Sequence, residues 1–315
     1  MDVQARVRQA IGELVDSGAE RGVQVAVYRR GELVVDAVAG VADPATGRPV
    51  TSDTVFYNFS IAKAAAAAVA HVLVERGAFA YDTRVAELWP EFGARGKEAV
   101  TVRHVLTHAA GVPGLPPGTT VEDLCDWDGM CAVIADSEPW WEPGTEVGYH
   151  AYTFGYLVGE IVRRATGRPI SRALHEDVAG PLGVGDELYF GMPRSEHGRL
   201  AVLEDGEGAE VDVAAMPADP PMLRAVPPAL FPTAALGNRA DVLAADIPAG
   251  GKTSARAMAR VYAGLLGGEL IPPERLRAVT AVAASGEDRV FGNDSSWGLG
   301  FAIGLPGTDP ADTAS

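Results

Sequence analysis

Lysine is scarce in this chain. Only Lys63, Lys97 and Lys252 occur among 26 basic residues, so arginine carries nearly all the positive charge. Cysteine is scarcer still. Cys125 and Cys131 stand alone in 315 residues, without CxxC spacing, which excludes a disulfide framework and reads as two buried or inert thiols. Basic charge as a whole falls short: 42 acidic residues leave a formal net charge of -16. A surface that grips phosphates needs the opposite sign, so nucleic acid is not an expected partner and the acidity reads as a solubility device. No stretch approaches the ~18 consecutive apolar residues of a membrane helix. The first eight residues carry charge where a signal peptide needs an apolar run. The expectation is a cytoplasmic protein with no membrane partner. No internal repeat or coiled coil is visible, and no glycine-rich loop matches a phosphate cradle or a dinucleotide fingerprint. No Gly-x-Ser-x-Gly elbow surrounds a serine, which argues against an α/β-hydrolase triad.

What is present is a chain that is 47% apolar, enough for one sizeable core or two lobes sharing an interface. Val3, Val7, Ile11, Leu14 and Val15 follow helical spacing and predict a helix over about 3–17. Val23 to Tyr28 and Leu33 to Ala39, joined through Arg29-Arg30-Gly31-Glu32, predict an antiparallel hairpin, with loop from Gly40 to Asp53. Ser60 to Gly77, with five consecutive alanines from Ala64, predicts a strong helix. Thr101 to His108 predicts a short one, and Phe154 to Thr166 another, stopped by Gly167 and Pro169. Between Glu187 and Gly251 prolines and glycines cluster, which predicts a surface excursion that forms a lid or pocket wall. A helix capped by Thr253 or Ser254 runs to Leu266, and Trp297 to Leu305 reads as a strand. This order predicts an α+β fold, its antiparallel sheet drawn from both ends of the chain.

The chemistry centres on Phe59-Ser60-Ile61-Ala62-Lys63. A serine and a lysine three residues apart lie on one helical face, and no other serine here has a lysine at that spacing. At a helix start the attacking oxygen meets a favourable field. A lysine amine in a partly dry site is pushed toward its neutral form, able to take the serine proton. Arginine could not replace it. On this spacing alone, a surface lysine one turn past a capping serine is as good an account.

Three ordered segments together resemble the serine β-lactamase, penicillin-binding-protein and family VIII carboxylesterase superfamily, over roughly residues 5 to 305. They are Phe56-Tyr57-Asn58-Phe59-Ser60-Ile61-Ala62-Lys63; Val100 to Val112, similar to the family's "TVRHLLTHTSGL" run; and Glu142-Pro143-Gly144-Thr145 followed by Tyr149-His150-Ala151. The resemblance implies a β-lactamase/transpeptidase-like fold as a single domain over 1–315. Its sheet lobe would span about 1–60 and 252–315, and its helical lobe about 61–251. It implies catalytic roles for Ser60, Lys63 and Tyr149, the tyrosine relaying the nucleophile's proton. Ala151 stands where the family's second motif usually has asparagine, which fits the carboxylesterase-like members better than proficient lactamases. Trp140 and Trp141, just before that motif, are candidates to line an acyl pocket, though ordinary core is an equal reading. The implied activity is cleavage of a carboxylic ester, or transfer of its acyl group, on a small-molecule substrate by a monomer or homodimer with no metal or organic cofactor. A weak β-lactamase or D-amino-acid peptidase is the alternative chemistry. The family's third motif, a Lys-Thr-Gly, His-x-Gly or glycine-rich triplet, is expected on a strand after Trp297 to Gly304. No such triplet precedes Ser315, so the C-terminal strands are expected to be missing, and an impaired homologue acting as a binding protein is a further reading. Gly251-Lys252-Thr253-Ser254 is not expected to supply it, because a helix follows. His104 and His108 have metal-ligand spacing, but they lack a third partner and read as satisfied buried histidines.

Overall fold

The computed structural model describes residues 2–206 and 220–304. Its first helix, Val3–Asp16, is opened by Asp2, whose carboxylate accepts the N–H groups of Gln4 and Ala5. Only Ile11 of its apolar stripe is buried; it packs with Val35 and Ala37, and Val3 and Leu14 stay exposed. Strands Gly22–Arg29 and Glu32–Asp43 form the expected hairpin. Arg30 and Gly31 both take positive φ at its turn, the twist that a two-residue hairpin connection favours. The second strand runs past the expected end at Ala39 to Asp43 and pairs with Arg48–Pro49. The hairpin is therefore one side of a three-stranded antiparallel sheet.

Beyond the hairpin, Phe56–Tyr57 pairs antiparallel with Lys252–Thr253, which in turn pairs with Leu188–Tyr189. This small sheet clamps the start of the next helix. A 3₁₀ turn, Phe59–Ala62, leads into helix Lys63–Glu75, so the expected helix divides at Lys63. Every residue from Lys63 to Leu73 is buried. The alanine run explains why: small side chains let neighbouring elements approach a helix from all sides. His71, wholly buried, spans from the Tyr81 hydroxyl (2.9 Å) to the Leu299 carbonyl (2.9 Å) and ties this helix to the C-terminal segment. Helix Thr153–Thr166 packs alongside, closed by Gly167 in the left-handed conformation. Its buried Glu160 accepts from Trp127, Arg163 and Arg164, so the carboxylate is never left unpaired in the core.

The second half departs from expectation in two places. The strand predicted over Trp297 to Leu305 is instead Asp294–Trp297, paired with Ala284–Glu287. Gly298 and Gly300 break it: the Gly298 N–H turns back to the Phe301 carbonyl, and Gly300 has φ +85°. Leu305 lies outside the described residues. Among the described residues no strand from the second half joins the N-terminal hairpin. Helix Ala255–Leu266, capped by Ser254, packs against Gly22–Arg29 instead. The Glu187–Gly251 excursion consists of short pieces, including helices Pro221–Ala225 and Ala234–Gly237 and 3₁₀ turns Arg194–Arg199 and Pro228–Leu230.

Two glycines set how closely the excursion approaches the helices. A Cβ on Gly155 would lie 2.3 Å from the Ala249 backbone nitrogen, and one on Gly251 2.3 Å from the Ala62 Cβ. Gly155→Ala is expected to cost about 1–3 kcal/mol in denaturant unfolding, because the Pro248–Ala249 backbone must retreat. An unchanged midpoint would show that this contact does not constrain the fold.

Candidate active site

The Lys63 side chain is the centre of the site. Its Nζ donates to the Ser60 hydroxyl at 2.8 Å and to the Ala249 carbonyl at 3.2 Å. Lys63 is only 6% exposed, whereas Ser60 is open to solvent. Burial in apolar surroundings, with no carboxylate to offset it, lowers the amine to about 7. Phe59, just before the serine, holds φ at +44°, a conformation few side chains adopt, and rests edge-on against Tyr57 at 4.6 Å. Its carbonyl accepts the Gly251 N–H, while the Asn58 N–H donates to the Gly251 carbonyl. Two strands thus fix the bend that lifts Ser60 out of the surface.

Tyr149 faces the same amine, its ring centroid 5.1 Å from Lys63 Nζ. Burial raises its phenol above the usual value; Ser60 pulls it back and the Asp288 carboxylate pushes it up again. Asp288, itself buried, accepts the Tyr149 backbone N–H at 3.0 Å and the N–H groups of Val290 and Phe291. The tyrosine is therefore anchored by a carboxylate 139 residues away in sequence.

A cavity of about 300 Å³ opens over Ser60. Tyr57, Phe59, Tyr152, Met222, Phe231 and Phe291 are among its walls, with Ala151 and Ala249. Among the described residues no charged side chain lines it. Ala151 is thus part of the cavity wall. Trp140 and Trp141 are not in this lining. They border a neighbouring hollow that shares Met222 and Phe291 with it. Trp140 lies under the Arg224 guanidinium at 4.4 Å, and Trp141 is buried edge-on to His150. The structure thus sets this pair beside the cavity over Ser60 rather than in its lining, unlike the acyl-pocket expectation. Sequence reasoning missed Asp288, Ala249, Met222 and Phe231, which carry no motif and reach the site only through the fold.

The other two lysines are buried as well. Lys97 donates to the carbonyls of Ala94, Ala135 and Ser137, and Lys252 to those of Phe190 and Val242. Lys252 is also lowered to about 7 by burial. What singles out Lys63 is its acceptor, a solvent-facing hydroxyl. The amine of Lys252 is enclosed by carbonyls of the core. His104 accepts the Thr101 N–H at 3.4 Å in a capping box, so it closes a helix start. Among the described residues no group of three or more histidines, cysteines or carboxylates could hold a metal ion. Both cysteines are free thiols, pushed up by burial. No helix among the described residues is long and apolar enough to cross a membrane.

An exposed serine hydroxyl thus meets a buried amine one turn on, with a phenol across from both. The chain belongs to the beta-lactamase family, whose profile matches residues 7–311. It is 37% identical over 262 residues to the Mycobacterium tuberculosis protein "Esterase/beta-lactamase LipL", covering 79% of this chain and 59% of that one. It is 33% identical over 205 residues to "Esterase EstB" of Burkholderia gladioli, covering 59% of this chain and 51% of EstB. The chain therefore spans between half and three-fifths of the length of these relatives. Among solved structures, a family VIII carboxylesterase superposes with TM-score 0.85 at 35% identity, over 96% of this chain and 81% of that one. A penicillin-binding-protein homologue from Caulobacter crescentus superposes with TM-score 0.83 at 38% identity, over the same shares. The fold is the β-lactamase/transpeptidase-like α+β fold.

The depressed lysine has a consequence for stability. Its folded value of about 7 lies below the ordinary lysine value of 10.5, so between those values the folded chain binds fewer protons than the unfolded one. The penalty of burying the amine is complete below about pH 7 and vanishes above the unfolded value. Lys63→Met is expected to be more stable than the parent by a few kcal/mol at pH 6, with the gap closing toward pH 10. Equal stabilities at pH 6 in urea titrations would mean the amine is not dehydrated.

Proposed function

We propose that this chain is a serine hydrolase that cleaves carboxylic esters, or transfers their acyl group, through an acyl-Ser60 intermediate. The observation that carries the proposal is the 2.8 Å hydrogen bond from the buried Lys63 amine to the exposed Ser60 hydroxyl. Near neutral pH a large share of that amine is neutral and its lone pair can take the hydroxyl proton. The Ser60 oxygen then attacks the ester carbonyl. Charge moves to the carbonyl oxygen, where the Ser60 backbone N–H at the head of the turn is the donor within the described residues. As the tetrahedral species collapses, the C–O bond to the alcohol breaks. Tyr149 passes the proton from Lys63 to the departing alkoxide, which leaves as the alcohol. Water or a second alcohol repeats the sequence in reverse, restoring the Ser60 hydroxyl.

Ester rather than amide chemistry is favoured by the cavity. Among the described residues its wall has Ala151 at the place where the family resemblance implies an amide side chain, and mostly aromatic and aliphatic groups elsewhere, with no charged side chain to grip a polar acylamino group. Two of the relatives carry "Esterase" in their names, which supports the same choice.

The test is the intact mass of the full chain after incubation with a fluorophosphonate. One adduct is expected, absent from Ser60→Ala, and its formation rate should rise with pH to a plateau above about 7 as Lys63 loses its proton. Lys63→Arg should form it at least ~100-fold more slowly, because a guanidinium keeps its proton. No adduct on a folded chain would favour the reading of a binding protein that retains the cavity without the reaction.

A further inference from the structure

His108 is the one buried histidine whose ring touches the candidate machinery directly, and the proposed function leaves it without a role. It sits in the left-handed conformation, φ +57°, which histidine tolerates better than most side chains. Its ring lies between those of Tyr149 and Phe154, both at 4.9 Å between centroids, with Trp297 edge-on at 4.3 Å. Its polar atoms bracket the tyrosine in the chain. The His108 carbonyl accepts the Gly148 N–H at 3.1 Å, and His108 Nδ1 accepts the His150 N–H at 3.0 Å. Tyr149 is thus held between two hydrogen bonds to one residue, while its own N–H goes to Asp288.

We infer that His108 is a positioning residue that fixes the Tyr149 phenol against Lys63 and Ser60, and that the lone pair on its Nδ1 is what does so. An accepting Nδ1 places the ring proton on Nε2 and requires a neutral imidazole. The surroundings enforce that state: burial, the neighbouring His150 and the Lys63 charge all oppose a proton on His108. His150 has its own fixed tautomer, with Nδ1 paired to the Gly148 carbonyl at 2.7 Å and Nε2 accepting the Val112 N–H at 3.1 Å. The two rings therefore form one neutral, dry layer behind the phenol.

The inference rests on the reading of Ser60, Lys63 and Tyr149, and the experiment separates the two. Second-order rates of fluorophosphonate labelling at Ser60 are measured on the full chain for His108→Asn and His108→Phe, each with and without Tyr149→Phe. Asparagine keeps an acceptor near the Nδ1 position and tolerates positive φ; phenylalanine keeps the stacked ring and loses the acceptor. His108→Asn is expected to label within ~3-fold of the parent and His108→Phe at least ~10-fold more slowly. In the Tyr149→Phe background the His108→Phe effect should shrink below ~2-fold, because the residue acts through the phenol. Should His108→Phe fail to fold, His108→Asn still decides, since a large loss there overturns the inference. A slow Tyr149→Phe combined with an additive His108→Phe effect overturns the inference alone. A Tyr149→Phe variant that labels like the parent removes Tyr149 from the proposed mechanism and the inference with it. If the parent does not label at all, the ¹⁵N imidazole spectrum decides: a proton on His108 Nδ1 overturns the inference, and a bare Nδ1 upholds it.

Discussion

A lysine amine held out of water is the constraint on which the rest of this molecule turns. An ammonium loses several kcal/mol of hydration when buried, and the protein tolerates that loss only where the amine has acceptors or gives up its proton. Lys63 has two acceptors, the Ala249 carbonyl and the Ser60 hydroxyl. Keeping them in reach requires the Pro248–Ala249 backbone to lie almost on Gly155 and the Gly251 backbone almost on Ala62. Each approach is possible only because a side chain is small or absent. Ala62 and Gly155 are what let the excursion close over the amine.

The three lysines show how the same residue serves two ends. Lys97 and Lys252 fasten loops by donating to carbonyls in places where an arginine fork would not fit. Lys252 and Lys63 are lowered to the same value by the same cause. A shifted lysine therefore does not identify a site in this protein. What sets Lys63 apart is the solvent-facing hydroxyl it meets, with the phenol above it and the apolar cavity beyond.

Around this pair the site is layered. Ser60, Lys63 and Tyr149 form the first layer. Behind the tyrosine lie His108, Asp288 and Trp297, drawn from two distant regions of the chain. The excursion, in sequence a stretch of prolines and glycines, supplies Met222, Val226 and Phe231 as cavity wall. Its irregular backbone suits that task, since short turns can offer side chains to a cavity without a continuous helix face to bury.

The amino-acid sequence by itself determined the hairpin, the positions of the principal helices and the serine–lysine spacing. These depend on residues near one another: alternation, helical period, capping and left-handed glycines. Tyr149 was legible through family resemblance and a Pro-Gly turn, and Ala151 came with it. The tertiary structure alone decided which lysine meets a solvent-facing hydroxyl, since all three are buried. It alone placed Trp140 and Trp141 beside the cavity rather than in its lining. It also brought Asp288 to Tyr149 across 139 residues and stopped the strand at Trp297, where two glycines turn the chain back onto the Lys63 helix. Local pattern encodes which face of an element is apolar, but which distant carboxylate, carbonyl or ring meets that face is settled only when the core closes and every buried polar group must find a partner.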